Sequence, residues 1–209
     1  DIKTELGNAN INLNFNAYQN IEKVEYSGFV DVSQFDLSSF FNIDALGTST
    51  FFMNVNGKGF TKASLNTLAV GKISSIQINN YNYQDIQLNG NLKAPYFKGR
   101  LKSLDPNFLF DFQGLVDASA IENRYDFNAK VEYADLSKLN LIKNDTLADF
   151  QGKLNVDLSG NSWDDLKGSL NFTSFEYKNS KENFKFEDLI IESVFNDNKQ
   201  SISIDSPDV

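Results

Sequence analysis

Apolar and polar residues alternate with a period of two along most of this chain, the pattern of strands that turn one face to shelter and the other to water. The alternation runs through Ile11, Leu13 and Phe15; Phe51, Met53 and Val55; Ile76 and Ile78; Ile86 and Leu88; and Phe108, Phe110 and Phe112. It continues in Tyr125, Phe127, Ala129, Val131 and Tyr133; Leu154, Val156 and Leu158; Leu170 and Phe172; Phe184 and Phe186; Leu189 and Ile191; and Ile202 and Ile204. Asn56-Gly57, Asn89-Gly90, Asp105-Pro106-Asn107, Ser159-Gly160-Asn161 and Asp197-Asn198 supply turn signals between these runs. Strands joined by short turns are expected to be antiparallel neighbours, so the pattern predicts a meander without βαβ units. Helical periodicity is weak, and residues 37–46 and 136–147 are the places for a short helical turn. No linker or low-complexity stretch divides the chain, which reads as one continuous segment, 1–209.

The chain also repeats itself at an offset drifting between about 97 and 104 residues. Val32-Ser33-Gln34-Phe35-Asp36-Leu37 matches Leu136-Ser137-Lys138-Leu139-Asn140-Leu141. Asn54-Val55 with Gly59 matches Asn155-Val156 with Gly160, and Tyr83-Gln84-Asp85-Ile86-Gln87-Leu88 matches Phe186-Glu187-Asp188-Leu189-Ile190-Ile191. The repeat spans approximately 28–90 and 132–192. A repeated meander without a closing signal suits a sheet that grows along one axis, each unit burying its apolar face by joining its neighbours. Chance likeness between meanders is the bland alternative; the preserved order favours repetition.

Composition narrows the chemistry. Nineteen Phe, eight Tyr and one Trp stand among 209 residues, and 41% of the chain is hydrophobic, enough for a sizeable sheltered surface. With 19 basic against 28 acidic residues the net charge is -9, which disfavours nucleic acid and anionic membrane surfaces. The chain has no Cys and no His. Disulfides, thiol chemistry, Ser-His-Asp triads and zinc sites built from those residues are thereby excluded. No run of about 18 apolar residues or signal-like N-terminus is present, and the chain begins and ends next to strand-like sequence, the expectation for a piece of a longer protein.

Candidate chemistry is sparse. Asp164-Asp165 and Glu187-Asp188 are the nearest approach to paired catalytic carboxylates, but neighbours on a strand point to opposite faces and cannot flank one bond, so no enzyme is expected. Asp135 and Asp145 lack the dense Asp/Asn spacing of a calcium loop, and neither metal nor cofactor is expected. Asn144-Asp145-Thr146 and Asn171-Phe172-Thr173 fit a glycosylation pattern, which would carry no weight were the protein bacterial. Trp163 beside Ser159-Gly160-Asn161 offers a sugar-stacking platform, although a single Trp at a turn is more often an edge residue. The alternative function is therefore an extracellular or periplasmic β-sandwich module for carbohydrate binding or adhesion.

A family resemblance sharpens the choice. Gly57-Lys58-Gly59-Phe60-Thr61, then Tyr81-Asn82-Tyr83-Gln84-Asp85-Ile86-Gln87-Leu88-Asn89-Gly90, resemble TamB proteins of the AsmA-like superfamily, the bridge-like lipid transfer proteins, in their Bacteroidota form. So do the strand and turn at residues 105–117 and Ala134-Asp135-Leu136-Ser137-Lys138-Leu139-Asn140-Leu141. The likeness covers roughly 28–206 and rests on strand-and-turn texture more than on a chemical motif. It implies an open, elongated, curved antiparallel sheet, a β-taco, with an apolar groove. It also implies a periplasmic location, a parent protein anchored in the inner membrane, and transport of phospholipid between the inner and outer membranes with a role in outer-membrane protein assembly. The implied partners are phospholipid acyl chains, neighbouring β segments of the parent chain, and a TamA-like outer-membrane protein reached through regions that have no counterpart here.

Physics makes such a groove reasonable, because sheltering a 16-carbon tail from water is worth roughly 12 kcal/mol at about 0.8 kcal/mol per methylene. The expected lipid-contacting residues are Leu13, Phe15, Met53, Val55, Ile76, Ile78, Ile86, Leu88, Phe108, Phe110 and Phe112. Val131, Tyr133, Leu154, Val156, Leu170, Phe172, Leu189 and Ile191 complete the set. Ordinary sandwich core is the bland reading of the same stripes.

Overall fold

The computed structural model describes residues 2–16, 20, 22–59, 61, 63–93, 95–118, 121–162, 164–196 and 199–206, with backbone alone at 2–4, 41 and 196. Trp163, Asp197 and Asn198 lie outside the described residues, and with them the sugar-platform expectation and one turn. The chain forms two compact units, Asp1–Pro106 and Asn107–Val209.

In unit 1 the strands are β1 (Ile2–Thr4), β2 (Gly7–Asn16), β3 (Glu25–Asp36), β4 (Leu46–Lys58), β5 (Asn66–Ile78), β6 (Tyr81–Lys93) and β7 (Tyr96–Asp105). One short helix, α1 (Leu37–Phe41), interrupts them. Unit 2 holds β8 (Phe108–Asp117), β9 (Arg124–Asp135), β10 (Ala148–Ser159), β11 (Lys167–Asn179), β12 (Asn183–Asn196) and β13 (Lys199–Asp205). Within each unit every strand pairs antiparallel with its sequence neighbours, and among the described residues no pairing joins a unit's first strand to its last. The fold is an open, all-β antiparallel meander.

Local chemistry sets the elements. Asn79 and Asn80, at φ 50° and 64°, make the two-residue turn between β5 and β6, where both positions need the left-handed region that Asn tolerates. Asp36 caps α1 by accepting from the Ser39 N–H at 3.1 Å, and Asn42 ends the helix at φ 55°. Residues 136–140 form a turn in place of the second expected helical turn. Asn56-Gly57 and Asn89-Gly90 are not turns but lie inside β4 and β6. Their glycines face the apolar side of the sheet, so an Asn-Gly pair here marks a crowded strand position, not a hairpin.

The two units share one plan. Strands β2 to β7 and β8 to β13 follow in the same order, their first residues displaced by 99 (25 to 124) to 103 (96 to 199). The Gly59 N–H donates to Val24 O at 2.9 Å, and its counterpart, the Gly160 N–H, donates to Asn123 O at 3.0 Å. Asp36 and Asp135 likewise each accept from the N–H three residues on, Ser39 and Lys138. One sequence match is displaced: residues 32–36 belong to β3 while 136–141 form the turn after β9, and the structural counterpart of Asp36 is Asp135.

Carboxylates that cap the connections respond to acid. Hydrogen bonds from the Ser39 hydroxyl and N–H hold Asp36 below the usual carboxylate range. The Leu147 N–H and Ser180 hydroxyl do the same for Asp145, as do the Ser162 and Asn161 N–H groups for Asp165. A carboxylate with a lowered folded pKa contributes stability above its unfolded value and loses it as pH falls through the folded one. Thermal melts should therefore be steady from about pH 7 to 5 and drop below about pH 4. A melting temperature that stays flat to about pH 2 would show that these caps contribute nothing.

Candidate functional site

Pairing register sorts the side chains onto two sides, because cross-strand partners share a face and alternate residues along a strand share it too. In unit 1 one transverse row is Ile11, Val30, Met53, Gly71, Leu88 and Leu101, and the next is Leu13, Gly28, Val55, Ala69, Gly90 and Gly99. The opposite side carries Asn10, Asp31, Phe52, Lys72, Gln87 and Lys102 in register. Unit 2 repeats the division. Phe112, Ala129, Leu154, Phe172 and Leu189 make one row, and Gly114, Phe127, Val156, Leu170, Ile191 and Ile204 another. Their polar counterpart is Gln113, Asn128, Asn155 and Asn171, in which Asn155 Nδ2 donates to Asn128 Oδ1 at 2.8 Å.

A line of irregularities crosses the strands of each unit. In unit 1 it passes through Gln34 (φ 51°) on β3, the register shift beside Thr50 on β4, Ser74 on β5 and Asp85 (φ 52°) on β6. In unit 2 it passes through Glu132, Gln151 and Ser174 (φ 51°) on β9, β10 and β11. A bulge bends its strand and increases local twist, so aligned bulges on successive strands crease the sheet along a line at right angles to the strands.

The apolar side continues through the crease because the alternation switches parity there. On β4, Ser49 and Phe51 are two residues apart and share a face; their partners on β3 are Phe35 and Val32, three apart. On β8, Phe108 and Phe110 stack at 5.0 Å, while their partners on β9, Ala134 and Val131, are again three apart. On β11 the rings of Phe172 and Phe175 meet edge-on at 5.7 Å across the bulge. Unit 2 is the more aromatic: Phe112 meets Phe127 at 5.0 Å, and Phe175 meets Phe150 at 5.5 Å and Phe186 at 5.7 Å.

Burial on this side is greatest at mid-sheet. Among the described residues there is no second sheet and no long helix, yet Met53 and Val156 are only 8% and 4% exposed. Toward the outer strands shelter falls away, with Phe15 55% and Ile204 68% exposed. The polar side is not wholly polar, since Phe29 and Phe52 stack there at 5.6 Å.

Every expected lipid-contacting residue of unit 1, from Leu13 to Leu88, falls on the apolar side. Ile76 and Ile78 reach it through the parity switch, paired with Ser49 and Tyr83 and with Leu46 and Tyr81. In unit 2 the same holds for all except Tyr133. The β9 bulge turns Tyr133 to the polar side, where it pairs with Leu109 and its hydroxyl donates to Asp149 Oδ1 at 3.2 Å. Strict alternation missed Val32, Ile73, Phe150 and Phe175, and Phe186, read within the alternation, was left out of the lipid-contacting set. The signal for all but Phe150 was the spacing of three between apolar residues, as in Val32–Phe35, Ile73–Ile76, Phe172–Phe175 and Phe186–Leu189; Phe150 keeps the regular spacing of two through Gly152 to Leu154. Among the candidate carboxylates, Asp165 is a loop cap that accepts from the Ser162 N–H at 2.6 Å and the Asn161 N–H at 2.8 Å. No family model, curated protein or solved structure matches this chain.

Proposed function

We propose that this chain is a non-enzymatic segment of a periplasmic bridge protein that shelters phospholipid acyl chains in an apolar groove on their way between the inner and outer membranes. The observation that carries the reading is the apolar side of each unit, kept continuous across a line of bulges by a parity switch. A protein that needed only a core would close such a surface against a second layer. Here rows of Ile, Leu, Val and Phe meet amide and charged rows back to back across a single sheet, the division required by a surface that must stay dissolved while holding hydrocarbon. The TamB resemblance supports the same reading and adds outer-membrane assembly as the setting, with contact to a TamA-like partner made elsewhere in the parent chain.

Native purification, denaturing extraction and mass spectrometry of the extract test this directly. Co-purifying phospholipid is the expected result; protein that is folded, lipid-free and unable to take up phospholipid from vesicles would overturn it. Met53→Asp and Leu154→Asp place charge on the apolar side and should each cut bound lipid by about tenfold or more. Asn54→Asp and Asn155→Asp, their neighbours on the polar side, should leave it unchanged.

A further inference from the structure

At eleven of the twelve glycines an added Cβ would come within 3.0 Å of a neighbouring atom, at Gly47 of the Gln77 side chain alone. Gly152 is the exception. Its φ is not positive, and a Cβ would sit 3.4 Å from Phe175 Cα and 3.6 Å from Phe150 Cζ, ordinary contact distances. Backbone geometry therefore tolerates a side chain at Gly152, on the apolar parity in the crease of unit 2, paired with Val131. The corresponding position of unit 1, with β4 and β10 aligned as Met53 with Leu154 and Val55 with Val156, is Phe51. Where unit 1 fills its crease with the ring of Phe51, unit 2 has a buried glycine against which the ring of Phe150 lies, a side chain that can turn.

The surroundings differ in the same sense. The crease of unit 1 ends at β7 in a polar cluster, where buried Asp105 accepts from Tyr81 Oη at 2.6 Å and from the Gln84 N–H at 2.9 Å. The two crease rows of unit 2, Phe110 to Phe186 and Phe112 to Leu189, hold Phe, Val, Ala, Leu and Gly from β8 to β12 and no carboxylate. Five strands at about 4.8 Å spacing give a seat roughly 19 Å long. One leaflet of acyl chain is about 15 Å, half the hydrocarbon thickness of a bilayer.

We propose that one hydrocarbon tail lies in the crease of unit 2, across β8 to β12 and over Gly152, and that unit 1 has no equivalent seat because Phe51 occupies it. The inference rests on the lipid reading above. The tail enters by parting the Phe150 and Phe175 rings and exchanges their mutual contact for contact with its methylenes.

The test uses the 209-residue chain and a 16-carbon fatty acid carrying a photoactivatable diazirine at mid-chain, with adducts mapped by peptide mass spectrometry. Adducts are expected on Phe110, Phe150, Phe172, Phe175 and Phe186. Gly152→Phe, which copies unit 1, should reduce them by about tenfold or more, with the fold checked by circular dichroism. Should Gly152→Phe fail to fold, Gly152→Leu and the adduct map of the unaltered chain decide. Adducts spread evenly over the apolar sides of both units, or undiminished in the filled variants, would overturn the seat while leaving the lipid reading intact. A folded chain with no adducts and no co-purifying lipid would overturn both.

Discussion

Asp105→Ala is expected to destabilise unit 1 by about 2–5 kcal/mol, because the Tyr81 hydroxyl and the Gln84 N–H lose the buried carboxylate that accepts from them. Asp105 is 0% exposed and Ser103, whose hydroxyl accepts from the Asp105 N–H at 3.3 Å, is 1% exposed, so water does not readily replace the lost acceptor. The Gln84 N–H sits next to Asp85, the left-handed residue of the β6 bulge, so the carboxylate also fixes the strand at the crease. At about 2–4 °C per kcal/mol for a chain of this size, the melting temperature should fall by roughly 5–20 °C. Asp105→Asn keeps the shape and one acceptor oxygen and should lose about half as much. Equal melting temperatures for wild type and Asp105→Ala would show that the cluster is incidental to the crease.

The crease also marks where sequence reading succeeds and where it stops. Period-two alternation located the strands, their antiparallel order and the apolar side, because side-chain direction in a regular strand depends only on residue parity. A bulge inserts one residue and resets that parity, and nothing in the composition of Gln34, Asp85 or Ser174 announces the insertion. Tyr133 was consequently placed with Val131, and Phe150, Phe175 and Phe186 were left out of the site although their rings form its most aromatic part. Asn-Gly misled for a related reason. Gly57 and Gly90 are glycines because a neighbouring strand or ring approaches the apolar side, a tertiary demand that resembles a hairpin signal in sequence. The repeat was legible because it is carried by turn chemistry, in Gly59 and Gly160 and in the caps Asp36 and Asp135, which varies less than the packed rows between. Even there the offset near residues 32–37 slipped by five, 104 (32 to 136) against 99 (36 to 135), since Leu and Asp recur too often to fix a register alone.

Gly28→Ala should be among the most damaging single-methyl additions to this chain. The added Cβ would meet the Asn12 carbonyl oxygen at 2.0 Å, and φ of +148° is a backbone conformation that side chains rarely adopt. Both penalties act together, because turning the backbone out of that conformation would break the β2–β3 pairing at Leu13 and Gly28. Strain of about 1–3 kcal/mol from the backbone, with a comparable cost for the overlap, puts the loss at roughly 2–6 kcal/mol. Gly168→Ala, with its Cβ 2.0 Å from the Asp157 carbonyl oxygen at φ +114°, should behave alike in unit 2. Gly152→Ala meets neither obstacle and should be neutral or stabilising by up to about 1 kcal/mol, as expected when glycine's excess freedom in the unfolded chain is removed at no native cost. Chemical denaturation of the three variants side by side separates the outcomes. A loss at Gly152 as large as at Gly28 would mean that the Phe150 and Phe175 rings cannot accommodate even a methyl group, and that Gly152 serves their packing alone.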